Sequence, residues 1–197
     1  MTTDARIVLA SASPRRHRLL TEAGIEFVVD VAGVDESFDE RLAPDAAARL
    51  LAERKARAVA ARQRGRIVLA ADTIVALEAG GRTHYLGKAA DAAEARAMLV
   101  MLSNSRHLVV TGVCALNVDR DVAVLDDECT WVTMRVITPG EIEAYVASGE
   151  WRDKAGGYAI QESADRFVVR LEGGGIDNVV GLPVALARAC IERAALA

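Results

Sequence analysis

An apolar run that hands over directly to a helix start constrains this fold more than any other segment. Ile7-Val8-Leu9-Ala10 has the continuous apolar pattern of a buried strand. The small residues Ser11-Ala12-Ser13 follow, then Pro14, Arg15 and Arg16. Ser13 suits a helix cap and Pro14 the first helical position, so a helix is predicted from residue 14 to about 23. The first N–H groups of such a helix lack intrahelical partners, and its dipole favours negative charge there. Two adjacent guanidinium groups add forked donors suited to phosphate. The segment reads as an anion cradle; the plainer alternative is a capped helix with solvated arginines.

Further strands are expected at 27–31, 67–71, 83–86, 107–118, 122–136 and 166–171, and further helices at 44–64, 92–102, 139–148 and 183–194. Gly80-Gly81 marks a hairpin turn, Asp91 a helix cap, and Thr138-Pro139-Gly140-Glu141 a capping box. Residues 149–161 form a long polar, glycine-rich irregular stretch. Strands and helices mix without strict alternation, which predicts an α/β domain with a mixed sheet, spanning 1–197 as one domain.

Composition narrows the function. Aromatic residues make up only 4%, leaving few stacking platforms for single-stranded nucleic acid. The net charge is −4, and no basic block is longer than Pro14-Arg15-Arg16-His17-Arg18. A duplex-binding stripe is therefore not expected; the positive charge is aimed at a small anion. Cys114, Cys129 and Cys190 are widely spaced, and His17, His84 and His107 have no metal-ligand spacing, which fits a reduced protein with buried thiols. No apolar stretch approaches a membrane span and no secretory leader is recognisable, so a soluble, cytoplasmic protein without membrane partners is expected.

Several residues could carry chemistry. Asp72 follows the apolar 67–71 run and is followed by Thr73-Ile74-Val75. A carboxylate among such neighbours needs a compensating cation or metal if it is buried; otherwise it ends the strand and caps a turn. Asp35-Glu36 and Asp39-Glu40 form an acidic cluster, either a solvated loop or a source of one carboxylate for a hard cation. Lys88, beside Gly87, and Lys55, within the second helix, are candidate phosphate partners or surface lysines. Gln161 offers both a donor and an acceptor for a base edge. The P-loop, dinucleotide-binding and nucleophile-elbow signatures are absent from the sequence.

In order along the chain, Leu9 to Arg16 (LASASPRR), Asp35-Glu36-Ser37, Lys55-Ala56, Ala71 to Val75 (ADTIV), Leu86-Gly87-Lys88, Thr111-Gly112-Val113, Gly149 to Gln161 (GEWRDKAGGYAIQ) and Asn178 to Pro183 (NVVGLP) resemble the Maf family of nucleoside triphosphate pyrophosphatases. The resemblance implies a Maf/ITPase-like fold, an elongated curved mixed sheet flanked by helices, with two lobes around a cleft. It implies hydrolysis of a nucleoside triphosphate to the monophosphate and pyrophosphate, with a divalent cation, Mg²⁺ or Mn²⁺. By motif match, Ser11, Arg15, Arg16, Lys55, Thr73, Lys88 and Gln161 would bind substrate. Glu36 and Asp72 would hold the metal, and Asp72 would act in catalysis as base or as ligand. Arg15, Thr73 and Gln161 match the branch that prefers dTTP and UTP; the other branch prefers 7-methyl-GTP. Ala89 departs from the family's proline after LGK, and residues 173–178 lack its usual tyrosine-containing turn. Family members are commonly homodimers and are associated with septum formation. A nucleotide-binding regulator of cell division without catalysis would use the same cradle, but carboxylates beside the phosphates would gain it nothing.

Overall fold

Alternation along one strand sets the layers of the first half of this protein. In the computed structural model, which describes residues 6–31 and 33–197, strand β3 (Ile67–Ala79) sends Ile67, Leu69 and Ala71 into one apolar cluster and Val68 and Ala70 into another. The first cluster holds Leu20 of α1 (Pro14–Glu22) and Ala187, Cys190 and Ala194 of α6 (Val184–Leu196). The second holds Ala52, Ala56 and Val59 of α2 (Pro44–Ala60). β3 is thus covered on both sides there, which explains the unbroken apolar run of residues 67–71.

Strands β1 (Ile7–Leu9) and β2 (Phe27–Val29) run parallel, and β1 also runs parallel to β3, with Leu9 opposite Leu69. The other strands are β4 (Arg82–Leu86), β5 (Arg106–Asn117), β6 (Val122–Met134) and β7 (Val168–Gly173). The seven-stranded sheet has the order β2-β1-β3-β5-β6-β7, with β4 paired antiparallel to β3 and β7 antiparallel to β6. The remaining helices are α3 (Ala92–Leu102), α4 (Pro139–Ser148) and α5 (Ile176–Val180). This is the mixed α/β architecture expected from the sequence. By contacts the chain forms two compact units: one comprises the chain up to Asp72 with Thr111–Glu128 and Gly181–Ala197, the other Thr73–Val110 with Cys129–Val180. No helix of the described residues is long and apolar enough to cross a membrane.

Local signals act largely as expected. Gly80 and Gly81 adopt φ of +61° and +76°, the left-handed pair that a tight hairpin requires. Asp91 accepts from the Glu94 N–H at 2.9 Å. Thr138 and Glu141 form the reciprocal capping box. Ser13 occupies the helix N-cap, but its side chain makes no capping bond; the nearby Ser11 hydroxyl instead accepts from the Ser13 N–H at 3.2 Å.

Several boundaries differ from the sequence reading: β2 stops at Val29 and β6 at Met134, each two residues short, and β3, α2, β7 and α5 differ as well. β3 does not end at Ala71 but continues through Asp72 to Ala79, because β-branched and apolar residues resume at once and Lys55 offsets the carboxylate. α2 stops at Ala60 because Arg62 and Gln63 turn to bond Asp30, at 2.6 and 2.5 Å. A 3₁₀ turn (Ser163–Phe167) absorbs Arg166, so β7 begins at Val168. The stretch after the glycines of 173–175 forms the short helix α5 rather than a plain turn. Of the cysteines, all free, Cys114 and Cys190 are buried as expected, whereas Cys129 is half-buried.

Candidate active site

The strand order 2-1-3 places β1 between two parallel neighbours, with α1 on one face of β3 and α2 on the other. Strand order, not chain direction, reverses at β1, with β2 added on one side and β3 on the other, and the carboxyl ends of strands at such a point open the crevice where α/β proteins bind ligands. Ser11 follows the end of β1, and Asp72 follows the stretch of β3 that pairs with it. Even-numbered residues of β3 face α2, so Asp72 continues the row of Val68 and Ala70 toward that helix. On α2, Lys55 falls in the buried stripe of Ala52, Ala56 and Val59. Register and helical period together bring the ammonium onto the carboxylate.

Lys55 Nζ contacts Asp72 Oδ1 in a short ion pair and Glu36 Oε1 at 2.7 Å. The Lys55 and Asp72 side chains are 13% and 11% exposed, that of Glu36 48%. One cation therefore joins a buried and a surface carboxylate. The loop carrying Glu36 is fixed by Arg54, whose Nη1 donates to the Asp35 and Ser37 carbonyls at 2.6 and 2.8 Å. Ser37 N–H and Oγ–H in turn donate to the Asp35 carboxylate, which holds it below the usual carboxylate range.

Arg16, in the first turn of α1, donates from Nε to the Gly181 carbonyl at 2.8 Å and from Nη1 to Ser11 Oγ at 3.2 Å. Burial lowers its pKa from the ordinary arginine value; Asp72 and Glu36 oppose that shift, while Arg15 adds to it. Arg15, Glu36 and Asp72 thus all lie within electrostatic reach of Arg16. His17 Nε2–H donates to the Ser11 carbonyl at 2.9 Å and its ring meets Phe27 edge-on at 5.7 Å. Ser11 is therefore held from its backbone and its hydroxyl at once.

Thr73, Lys88 and Gln161 belong to the second unit. There Lys88 pairs with Ala155 in an isolated antiparallel bridge, and Gly156 N–H donates to the Leu86 and Gly87 carbonyls at 3.0 Å. The LGK turn and the glycine-rich loop thus lie side by side, with Gln161 half-buried at the loop's end. Arg54, His17 and the Gly181 carbonyl were not singled out by residue type. Arg54 and Gly181 act across long sequence separations and His17 across six residues, and only the position of Gly181 within the NVVGLP motif hinted at a role.

A sequence model of the Maf-like protein family matches residues 6–194. This chain belongs to the Maf-like family. Among relatives of the Maf-like chain, a dTTP/UTP pyrophosphatase of Myxococcus xanthus is 46% identical over 96% of it and 93% of the relative. Another, of Moorella thermoacetica, is 46% identical over 91% of it and 90% of the relative. A third, of Paramagnetospirillum magneticum, is 48% identical over 90% and 91%.

Proposed function

We propose that this Maf-like protein hydrolyses nucleoside triphosphates, dTTP and UTP foremost, to the monophosphate and pyrophosphate, removing non-preferred or modified nucleotides. The observation that carries the reading is the cluster beside the end of β1 and the middle of β3, where Asp72 and Glu36 share Lys55 within the field of the arginine pair. The names of its relatives point to the same reaction and substrates.

Arg15, Arg16, Lys55 and Lys88 would neutralise the polyphosphate, and the first N–H groups of α1 would complete the cradle. Asp72 would orient a water for in-line attack on the α phosphorus and accept its proton; the new P–O bond forms as the bond to the β-phosphate oxygen breaks and pyrophosphate leaves. Thr73 and Lys88 are proposed substrate contacts, and Gln161 a reader of the base edge, all on the family motif.

The donor set suits a hard divalent cation. Among the described residues no group of three or more acidic, histidine or cysteine side chains assembles into a metal site. Mg²⁺ in particular is commonly held by one or two carboxylates plus substrate phosphate oxygens, and Glu36 and Asp72 converge on a single positive charge. Glu36 and Asp72 would hold such an ion, which would supply charge neutralisation and polarisation at the phosphate.

Pyrophosphate release measured across a nucleotide panel, with and without Mg²⁺, tests the reading. Fastest turnover of dTTP and UTP, lost on chelation, is expected. Preference for 7-methyl-GTP would place the chain in the family's other branch, and binding of nucleotides without release would sink the enzyme reading.

A further inference from the structure

The loop of residues 155–161 is tied down more heavily than a glycine-rich surface segment requires. Beyond its backbone bonds to Leu86 and Gly87, two buried aromatic hydroxyls hold it from beneath. Tyr145, on α4 and fully buried, accepts from the Ala159 N–H at 3.1 Å. Tyr158, within the loop, meets His107 Nε2 at 2.9 Å, with the two rings edge to face at 5.5 Å. At the base of the loop, Glu150 Oε2 accepts from the Ser163 N–H at 3.0 Å and from its hydroxyl at 2.7 Å.

The His107–Tyr158 pair is a poor device for stability alone. A neutral imidazole carries one N–H and a phenol one O–H, but a single hydrogen bond joins them. His107 is fully buried, and its Nδ1 has no hydrogen-bond partner among the described residues. Two apolar rings of the same size would leave nothing unsatisfied. What the polar pair adds is direction: it fixes where Tyr158 lies, as Tyr145 fixes Ala159.

We propose that Tyr145 and the His107–Tyr158 pair are positioning residues for nucleobase selection, setting the loop whose last residue is Gln161. This rests on the base-reading role assigned to Gln161 above. The variants Tyr145→Phe and His107→Phe each remove one hydrogen bond and keep a ring in place; His107→Gln can restore a polar contact to Tyr158. Steady-state kinetics with dTTP, UTP, CTP and GTP are measured alongside amide hydrogen exchange of residues 155–161. In both Phe variants KM for dTTP should rise about tenfold with kcat within about twofold, and the preference for dTTP over CTP should narrow by about tenfold. Exchange across the loop should accelerate, and His107→Gln should recover most of the lost preference. Unchanged exchange in both Phe variants, or faster exchange with the base preference intact, would overturn the inference. Gln161→Ala separates the two readings: if it keeps the full preference while the Phe variants lose it, the role of Gln161 falls and the positioning role stands.

Discussion

Asp72 is 8% exposed on a strand whose neighbours are apolar, and it is held there by Lys55. Removing its charge while keeping its shape separates chemistry from folding, since Lys55 retains Glu36 at 2.7 Å. Asp72→Asn should therefore fold with a thermal midpoint near that of the parent while pyrophosphate release falls about a hundredfold or more, roughly 3 kcal/mol of barrier. Release near the parent rate by a well-folded variant would remove Asp72 from the mechanism. His107 gives a second residue-scale prediction. Burial pushes its pKa from 6.5 down to about 4. Between those values the unfolded chain binds a proton that the folded chain excludes, so stability falls as pH drops through that window. Full development of the effect amounts to about 3 kcal/mol. Denaturant midpoints from neutral pH down to the folded pKa should show this slope in the parent and a shallower one in His107→Phe; parallel curves would contradict it.

At the scale of elements, the contact of α2 with β5 depends on one missing side chain. A Cβ at Gly112 would overlap the backbone of Ala48 and Arg49, so the helix can approach the strand only over glycine. Gly112→Ala should destabilise the protein by about 2 kcal/mol or more, since backbone rather than a flexible side chain must give way. A thermal midpoint within a degree or two of the parent would show that α2 can shift freely. Elements set by local chemistry were legible in the sequence: the Gly80-Gly81 hairpin, the Asp91 cap and the Thr138–Glu141 capping box all formed as read. Features set by distant partners were not. The passage of β3 through Asp72 depends on Lys55 from α2, and the early end of α2 depends on Asp30. The site was legible as a list of charges through its motifs. The buttresses Arg54 and Tyr145 carry no local signal, because each bonds backbone that the sequence does not place nearby.

Over the whole molecule, neither compact unit is one continuous stretch of chain. The path changes unit after Asp72, Val110, Glu128 and Val180, and the first three of these points lie within β3, β5 and β6. Strands shared in this way favour a single cooperative transition, so scanning calorimetry should give one peak with equal calorimetric and van't Hoff enthalpies. Two resolved peaks would mean that the units melt independently. The last of these passages has a separate consequence. Arg16 is aimed by the carbonyl of Gly181, a residue made 165 positions later. During synthesis this rest is missing until residue 181 has been made. A chain cut before Gly181 would lose this rest and leave the Arg16 guanidinium to its bond with Ser11 Oγ.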